Sequence, residues 1–263
     1  MPELPDVEVF KQYFDATSLH QKVKDVEVLR KRIVEGSTAS ELRSALKGRT
    51  FESTRRYAKY LFAKLDDGRW LVFHFGMTGF FKYFKRMEKE PPHDRLLFTF
   101  ENGYHLAYDC QRLLGEVRVI EKFDEFLQEK HLGPDVLDRD FDFTAFKEVF
   151  AGRRGMVKSA LMNQQILSGV GNVYSDEILF HAGIHPKTTI NQLDQDALKK
   201  LYRNMRDVLK AVIQNRADPD KMPSSFFLPH RKEGGRCPEC DGEIEKIKVS
   251  GRTAYYCPNC QRK

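Results

Sequence analysis

Gln164-Gln165-Ile166-Leu167-Ser168-Gly169-Val170-Gly171-Asn172-Val173-Tyr174 is the stretch on which the organisation of the chain turns. Apolar residues at helical spacing lie on both sides of it, and two glycines interrupt them, so it joins two helices. Gly169 and Gly171 let backbone approach a partner closely. Amides at the start of the second helix can hold a phosphate, with Asn172 as a side-chain donor and Lys158 as a nearby positive charge. The same residues also suit a glycine-rich helical hairpin with no ligand, and spacing alone leaves both readings open.

Working outward, the helical pattern extends in both directions. Upstream, Phe143, Phe146, Val149 and Phe150 suit one helix, and Val157, Leu161 and Ile166 a second. Downstream, Val173 to Phe180 reads as a third. Leu198, Leu201, Met205, Val208, Leu209 and Val212 mark a longer amphipathic one. Residues 216–229 hold three prolines without a period and read as a linker or loop. Before Gly133-Pro134 the pattern changes. From about 23 to 122 it is strand-like, with runs at 61–65, 70–75, 79–84, 95–100, 104–108 and 116–120. Asp67-Gly68 and Asn102-Gly103 are two-residue hairpin signals between neighbours. Short strands with tight turns indicate an antiparallel sandwich or barrel. Residues 5–15 suit a short helix, with Val7, Phe10 and Phe14 on one face.

Composition narrows the class. The chain has 263 residues, of which 41% are apolar, including twenty phenylalanines. That is enough for two cored domains and an appendage. No apolar run approaches the roughly 18 residues of a membrane span. No leader is visible, so a cytoplasmic location is expected. Lys plus Arg exceeds Asp plus Glu by 44 to 38, an excess that permits a polyanionic partner without requiring one.

Four of the five cysteines lie in the tail, as Cys237-Pro-Glu-Cys240 and Cys257-Pro-Asn-Cys260. Two such knuckles at that separation match a four-thiolate zinc site, which is structural because it leaves no open position for water. The residues between them read as a hairpin with Arg252 at its tip, where an arginine either grips a phosphate or is simply solvated. Cys110 stands alone and reads as a small buried hydrophobe.

The chain opens Met1-Pro2-Glu3-Leu4-Pro5-Asp6-Val7-Glu8. A small second residue allows removal of the initiator methionine, which would leave Pro2 as a secondary amine beside a carboxylic acid. Such an amine can attack an electrophilic carbon and form an iminium. Alternatively, Pro5 only opens a helix.

Together these motifs resemble one family, the formamidopyrimidine-DNA glycosylase and endonuclease VIII group of base-excision repair enzymes. Residues 2–8 resemble its N-terminal signature. Gln165 through Glu177 resembles its helix–two-turns–helix (H2TH) motif, and Gly251-Arg252-Thr253 with Cys257 to Gln261 the end of its zinc finger. The resemblance spans the chain in order. It implies Pro2 as the nucleophile, Glu3 as the acid assisting ring opening, and Lys59 as the essential strand lysine. It implies Asn172 and Arg252 as a clamp on phosphates flanking the lesion, with Lys158 also at the DNA. Met77, in His74-Phe75-Gly76-Met77-Thr78-Gly79, resembles the intercalating methionine; a core methionine is the other reading. In the second wedge loop, 109–115, Arg112 would enter opposite the lesion with Leu113 or Leu114 as apolar wedge. That loop is one residue longer than the family's and lacks its phenylalanine. Residues 217–236 also lack a glycine-lysine-proline lesion-capping segment.

The expected fold is therefore α+β and multidomain. It comprises an N-terminal antiparallel β-sandwich with a flanking helix (1–130), a helical H2TH domain (135–225) and a C-terminal zinc-ribbon hairpin (226–263). The expected protein is a monomeric, cytoplasmic and nucleoid-associated glycosylase and abasic-site lyase. It removes oxidised or ring-opened bases through a Pro2 Schiff base and cuts the strand by β,δ-elimination. Its expected partner is duplex DNA carrying a damaged base or abasic site, without a membrane. Its expected metal is one structural zinc on Cys237, Cys240, Cys257 and Cys260. Met77, Arg112, Leu114, Lys158, Asn172 and Arg252 are the expected DNA contacts. The alternative is a non-catalytic zinc-finger protein that binds damaged or structured nucleic acid.

Overall fold

The computed structural model describes residues 1–262, and the chain divides into two compact units. The first comprises residues 1–2 and 6–130, the second residues 3–5 and 131–263. The N-terminal octet is thus shared, with Glu3, Leu4 and Pro5 assigned to the second unit.

In the first unit, helix α1 (Leu4–Ser18) is followed by β1 (Val23–Val28), α2 (Ala39–Leu46), β2 (Phe51–Tyr57), β3 (Tyr60–Leu65), β4 (Trp70–His74), β5 (Gly79–Phe84), β6 (Asp94–Phe100), β7 (His105–Cys110), β8 (Glu116–Ile120) and α3 (Phe123–Glu129). The strands form two four-stranded antiparallel sheets, ordered β1-β6-β7-β5 and β2-β3-β4-β8. Their inner faces share one core. Phe98, Phe100, Leu106 and Tyr108 come from the first sheet, and Phe51, Leu61, Leu71 and Phe73 from the second. Val7 and Phe14 of α1 close it. On the outer face of the second sheet, Phe62, Val72 and Ile120 pack under Phe123 and Phe126 of α3. The expected sandwich with a flanking helix is therefore present.

Some local expectations need correction. β1, α2, β2 and α3 add to the strand runs that the pattern marks. β2 buries only Phe51, and α2 buries only Leu42 and Leu46, too few to set a period. Instead, α2 is marked by its capping box, in which the Thr38 hydroxyl accepts from the Glu41 amide and the Glu41 carboxylate from the Thr38 amide. The Asp67-Gly68 and Asn102-Gly103 turns are three-residue loops closed by Leu65 N to Arg69 O and Phe100 N to Tyr104 O. Each ends on a left-handed glycine, φ 92° at Gly68 and 79° at Gly103. Cys110 is buried and unbridged, as expected.

In the second unit, α4 (Phe143–Phe150), α5 (Val157–Met162), α6 (Asn172–Ala182) and α7 (Gln195–Gln214) enclose a helical core, and β9 (Glu245–Val249) pairs with β10 (Arg252–Tyr256) in the tail. Helix α5 stops at Met162, so Ile166 lies beyond it. Residues 216–229 are not a free linker. Phe226 and Phe227 are buried, and Phe227 stacks on Phe180 at 4.9 Å between ring centroids. No helix among the described residues is long and apolar enough to cross a membrane.

Phe73 is fully enclosed, with the rings of Phe81 and Tyr108 at 5.0 and 5.8 Å. Phe73→Ala should therefore destabilise the sandwich by about 3–5 kcal/mol, read as a lowered urea midpoint in near-UV circular dichroism. A midpoint within error of wild type would contradict the core described.

Candidate active site and nucleic-acid-binding residues

In the second unit the N-terminal signature ends up inside a helix terminus. The Glu3 carboxylate is 1% exposed. It accepts from the amides of Gly171 (2.7 Å), Val173 (2.9 Å) and Tyr174 (3.3 Å), the N-terminus of α6. The Leu4 amide donates to the Gly169 carbonyl at 3.1 Å. Both glycines are explained by this docking. A Cβ at Gly171 would lie 2.3 Å from Glu3 Cδ, and one at Gly169, where φ is 114°, 2.5 Å from Leu4 Cδ1. The close approach expected at these glycines is thus made by the chain's own start. The amides expected to be open to a phosphate hold a carboxylate, whose charge suits the positive end of the helix.

Helix α6 also carries two buried acids. Lys158 on α5 is fully buried, and its ammonium donates to Asp176 Oδ1 (2.7 Å), Ser175 Oγ (2.6 Å) and the Asn172 carbonyl (3.1 Å). Burial holds its pKa below the ordinary lysine value, with Asp176 pulling the other way. All three N–H bonds are used internally, so the structure places Lys158 under the Asn172 backbone, away from the surface expected for a DNA contact. Asp176 Oδ2 accepts from Arg231 (2.8 Å) and the Tyr255 amide (3.2 Å). Glu177 accepts from the amides of Phe227 (2.9 Å) and Leu228 (2.6 Å). These two acids fasten β10 and the 226–231 loop to α6. The role of Asp176 and Arg231 was missed. The available signal was a pair of acids in a helix otherwise apolar from Ile178 to Phe180.

Asn172 joins the helix to the ribbon, its side-chain amide donating to the Thr253 carbonyl at 3.0 Å. Ser159 and Ser250 meet hydroxyl to hydroxyl at 2.6 Å. The hairpin tip, Ser250-Gly251, is left-handed at both residues, φ 49° and 77°, and presents Arg252 exposed at the start of β10. Behind it the four cysteine sulfurs lie within 4.8 Å of one another, with Cys237–Cys260 at 3.7 Å and Cys240–Cys257 at 3.5 Å. Tetrahedral Zn–S bonds of about 2.3 Å require S···S separations of about 3.8 Å, so the donor set fits. It holds one structural zinc. Gln261 ties this end down, accepting from Cys257 N and donating to the Ile184 carbonyl, each at 2.9 Å.

In the first unit Pro2 is half-buried behind an exposed Met1. Lys59 sits in the β2–β3 turn rather than in a strand, after Ala58 at φ 54°. Arg56 braces that turn, donating to Glu8 (2.9 Å) and to the Ala58 carbonyl (3.3 Å). His74, at the end of β4, is held at a pKa of about 4 by burial and by the positive charges of Lys59 and Lys130.

The two expected wedge loops touch backbone to backbone. A Cβ at Gly76 would lie 2.4 Å from the carbonyl of Leu114, and the Arg112 amide donates to Thr78 Oγ1 at 3.1 Å. Met77 and Leu114 are 36% and 44% exposed, while Leu113 packs on the sandwich core. Arg112 is exposed beside them.

This combination of sandwich, helix–turns–helix joint and four-thiolate ribbon defines a class, the DNA glycosylases with an N-terminal catalytic signature. Residues 1–117 match the formamidopyrimidine-DNA glycosylase N-terminal domain, 132–222 its H2TH domain, and 234–262 the zinc finger found in FPG and IleRS. The formamidopyrimidine-DNA glycosylase of Pelotomaculum thermopropionicum is 31% identical, covering 100% of this chain and 99% of its own length. That of Hydrogenovibrio crunogenus is 32% identical, over 100% and 97%. Among solved structures, Lactococcus lactis Fpg in complex with abasic-site DNA superposes with a TM-score of 0.90 at 28% identity, covering both chains fully. The chain belongs to the formamidopyrimidine-DNA glycosylase family. It is a base-excision repair DNA glycosylase with abasic-site lyase activity.

Two outcomes follow from this geometry. Gly171→Ala cannot coexist with the docked Glu3 and should cut borohydride trapping on abasic DNA at least tenfold. Zinc content should stay at one per chain by elemental analysis, and trapping at the wild-type level would refute the docking as a requirement. His74 offers a pH test. Its pKa is about 4 folded against about 6.5 unfolded. The unfolded chain binds the extra proton between those values, so this stability is present above pH 6.5 and lost as pH falls toward 4. The loss is up to about 3 kcal/mol. Denaturant midpoints should therefore fall more steeply over that window in wild type than in His74→Gln; parallel curves would exclude the buried neutral imidazole.

Proposed function

We propose that Pro2, exposed as a secondary amine once Met1 is removed, is the nucleophile of this enzyme. Its nitrogen lone pair attacks C1′ of the damaged nucleoside, the glycosidic bond breaks, and the base leaves with its bonding electrons. The attacking nitrogen sheds its proton to the Glu3 carboxylate, which passes it to the ring oxygen as the C1′–O4′ bond breaks, leaving an iminium between Pro2 and C1′. Loss of the C2′ proton then expels the 3′ phosphate, and a second elimination expels the 5′ phosphate. Covalent attachment splits one difficult cleavage into easier steps. Lys59 contacts phosphate and supports these steps.

The observation that carries the reading is the burial of Glu3 under three α6 amides. It fixes the residue next to the nucleophile, so Pro2 can wander by little more than one Cα–Cα step of about 3.8 Å. The substrate is duplex DNA with an oxidised or ring-opened base or an abasic site. The complexes of the Lactococcus lactis protein with abasic-site and Fapy-dG-containing DNA support that choice. The target nucleotide must leave the stack to expose its C1′. Met77 and Leu114, held out by their interlocked loops, fill the gap, with Arg112 facing the opposite base. Asn172 and Arg252 hold the flanking phosphates, and Lys158 acts beneath them as a positioning residue. Functionally the chain has three parts, catalytic (1–130), helical (135–225) and zinc-bearing (226–263). It works as a monomer in the cytoplasm, at the nucleoid.

Borohydride should trap the mature protein covalently on abasic-site DNA, and Pro2→Gly should reduce the yield more than tenfold. Failure of the mature wild-type protein to trap would overturn the assignment. Arg252→Ala should weaken binding to all sequences alike and lower the salt slope by roughly one unit. A loss confined to some sequences would contradict a phosphate contact.

A further inference from the structure

Beyond Arg252 the second unit carries a basic surface that the reaction does not use. The turn between α4 and α5 projects Arg153 and Arg154, both exposed. No carboxylate pairs with either among the described residues, nor with the exposed Lys147 nearby. Open depressions of about 320 and 330 Å³ flank this turn and share Arg153, Arg154 and Ile190 as walls. The first is floored by Phe150, Ile190 and Leu198 and rimmed by Lys147. The second runs past Met156 and Asn163 to Ser159, whose hydroxyl touches Ser250 at the ribbon tip, two residues from Arg252. The surface is thus continuous with the proposed phosphate clamp.

The turn is also fixed. Val157 N donates to the Thr188 carbonyl and Ile190 N to the Gly155 carbonyl, each at 2.9 Å. Arg153 Nε donates to the Val149 carbonyl at 2.7 Å, which leaves its outer nitrogens free to bind. Two guanidiniums on a braced turn are a rigid, permanently charged fork for phosphate oxygens. Between them an apolar floor suits the carbon face of deoxyribose. Phosphates contacted in this way carry no sequence information; they add affinity and register.

We propose that the Arg153–Arg154 turn and its two flanking depressions form a track for the sugar-phosphate backbone of duplex DNA beyond the nucleotides held by Asn172 and Arg252. The inference rests on the proposed reading that those two residues hold the lesion strand. The track lengthens the footprint along undamaged duplex, so it aids retention on long DNA rather than lesion recognition.

The test compares Arg153→Ala/Arg154→Ala with wild type on abasic-analogue duplexes of about 12 and about 30 base pairs. Wild type should bind the long duplex more tightly. The double variant should lose that advantage by about tenfold, and its salt slope on long DNA should fall by one to two units, since each lost phosphate contact removes about 0.9. Arg153→Lys/Arg154→Lys should recover most of both effects. Equal loss on both lengths would overturn the proposal, as would unchanged long-duplex affinity. So would binding of an acidic, aromatic peptide at micromolar concentration to wild type but not to the double variant while both bind the long duplex equally, which would assign the surface to a protein partner. Borohydride trapping on a short duplex carrying a true abasic site, whose C1′ aldehyde can form the iminium, separates this outcome from failure of the mechanism. If wild type does not trap there, the nucleophile assignment fails; if it traps and length has no effect, only the track fails.

Discussion

One buried carboxylate holds the start of the chain to the N-terminus of α6. Taking a charge such as that of Glu3 out of water costs several kcal/mol unless it is well compensated. The compensation is three backbone amides and the positive end of an eleven-residue helix. Each hydrogen bond to a charged group contributes about 1.5–3 kcal/mol, and the helix end adds up to about 2 kcal/mol in a partly buried geometry. A chain terminus is ordinarily the loosest part of a protein. Here it is pinned one residue behind the Pro2 nitrogen, by a side-chain carboxylate held on three amides and by the backbone bond from Leu4 N to the Gly169 carbonyl. Gly169 and Gly171 are necessary because any side chain there would occupy the space of Leu4 or Glu3.

The same helix distributes three further constraints. Asp176 stands between Lys158 and Arg231 and accepts the amide of Tyr255, while Glu177 takes two amides of the 226–228 segment. A displacement of α6 would therefore be felt at once by the chain start, the zinc ribbon and the loop before it. The ribbon supplies its own rigidity through the metal, and Asn172 couples that rigid body to the helix N-terminus through Thr253. Arg252, the residue before Thr253, is thereby carried close to the N-terminus of α6, with its side chain exposed.

Much of this was legible in the sequence, and the missing parts share a physical cause. The sandwich strands from β3 to β8 showed themselves because each carries alternating or continuous apolar residues. β2 did not, being polar along most of its length. The four thiolates were legible because their spacing is itself the site. The glycines of the joint were legible as glycines, but their partner was not: Gly171 meets Glu3 across 168 positions of chain, and no local pattern encodes such a contact. Lys158 misled for the same reason. A lysine beside a glycine-rich joint looks like a phosphate ligand until Asp176, eighteen residues on, is seen to hold it. The loop at 216–229 read as a linker because prolines dominate it, yet Phe226 and Phe227 give it a buried anchor.

The wedge loops show how a departure from a familiar pattern can keep its geometry. The second loop lacks the phenylalanine that the resemblance calls for. Leu113, at φ 51°, turns back into the sandwich core, while Leu114 stays exposed. The Gly76 backbone lies directly against that of Leu114, and Met77 and Leu114 are both exposed. Leucine has no flat face to stack on a base, whereas methionine is polarisable and adapts its shape. In the proposed complex the space left by the flipped nucleotide is therefore filled chiefly by Met77, with Leu114 as a shape-neutral neighbour. The burden of reading the opposite base then falls on Arg112, whose backbone is fixed by Thr78 while its side chain stays free to choose among acceptors.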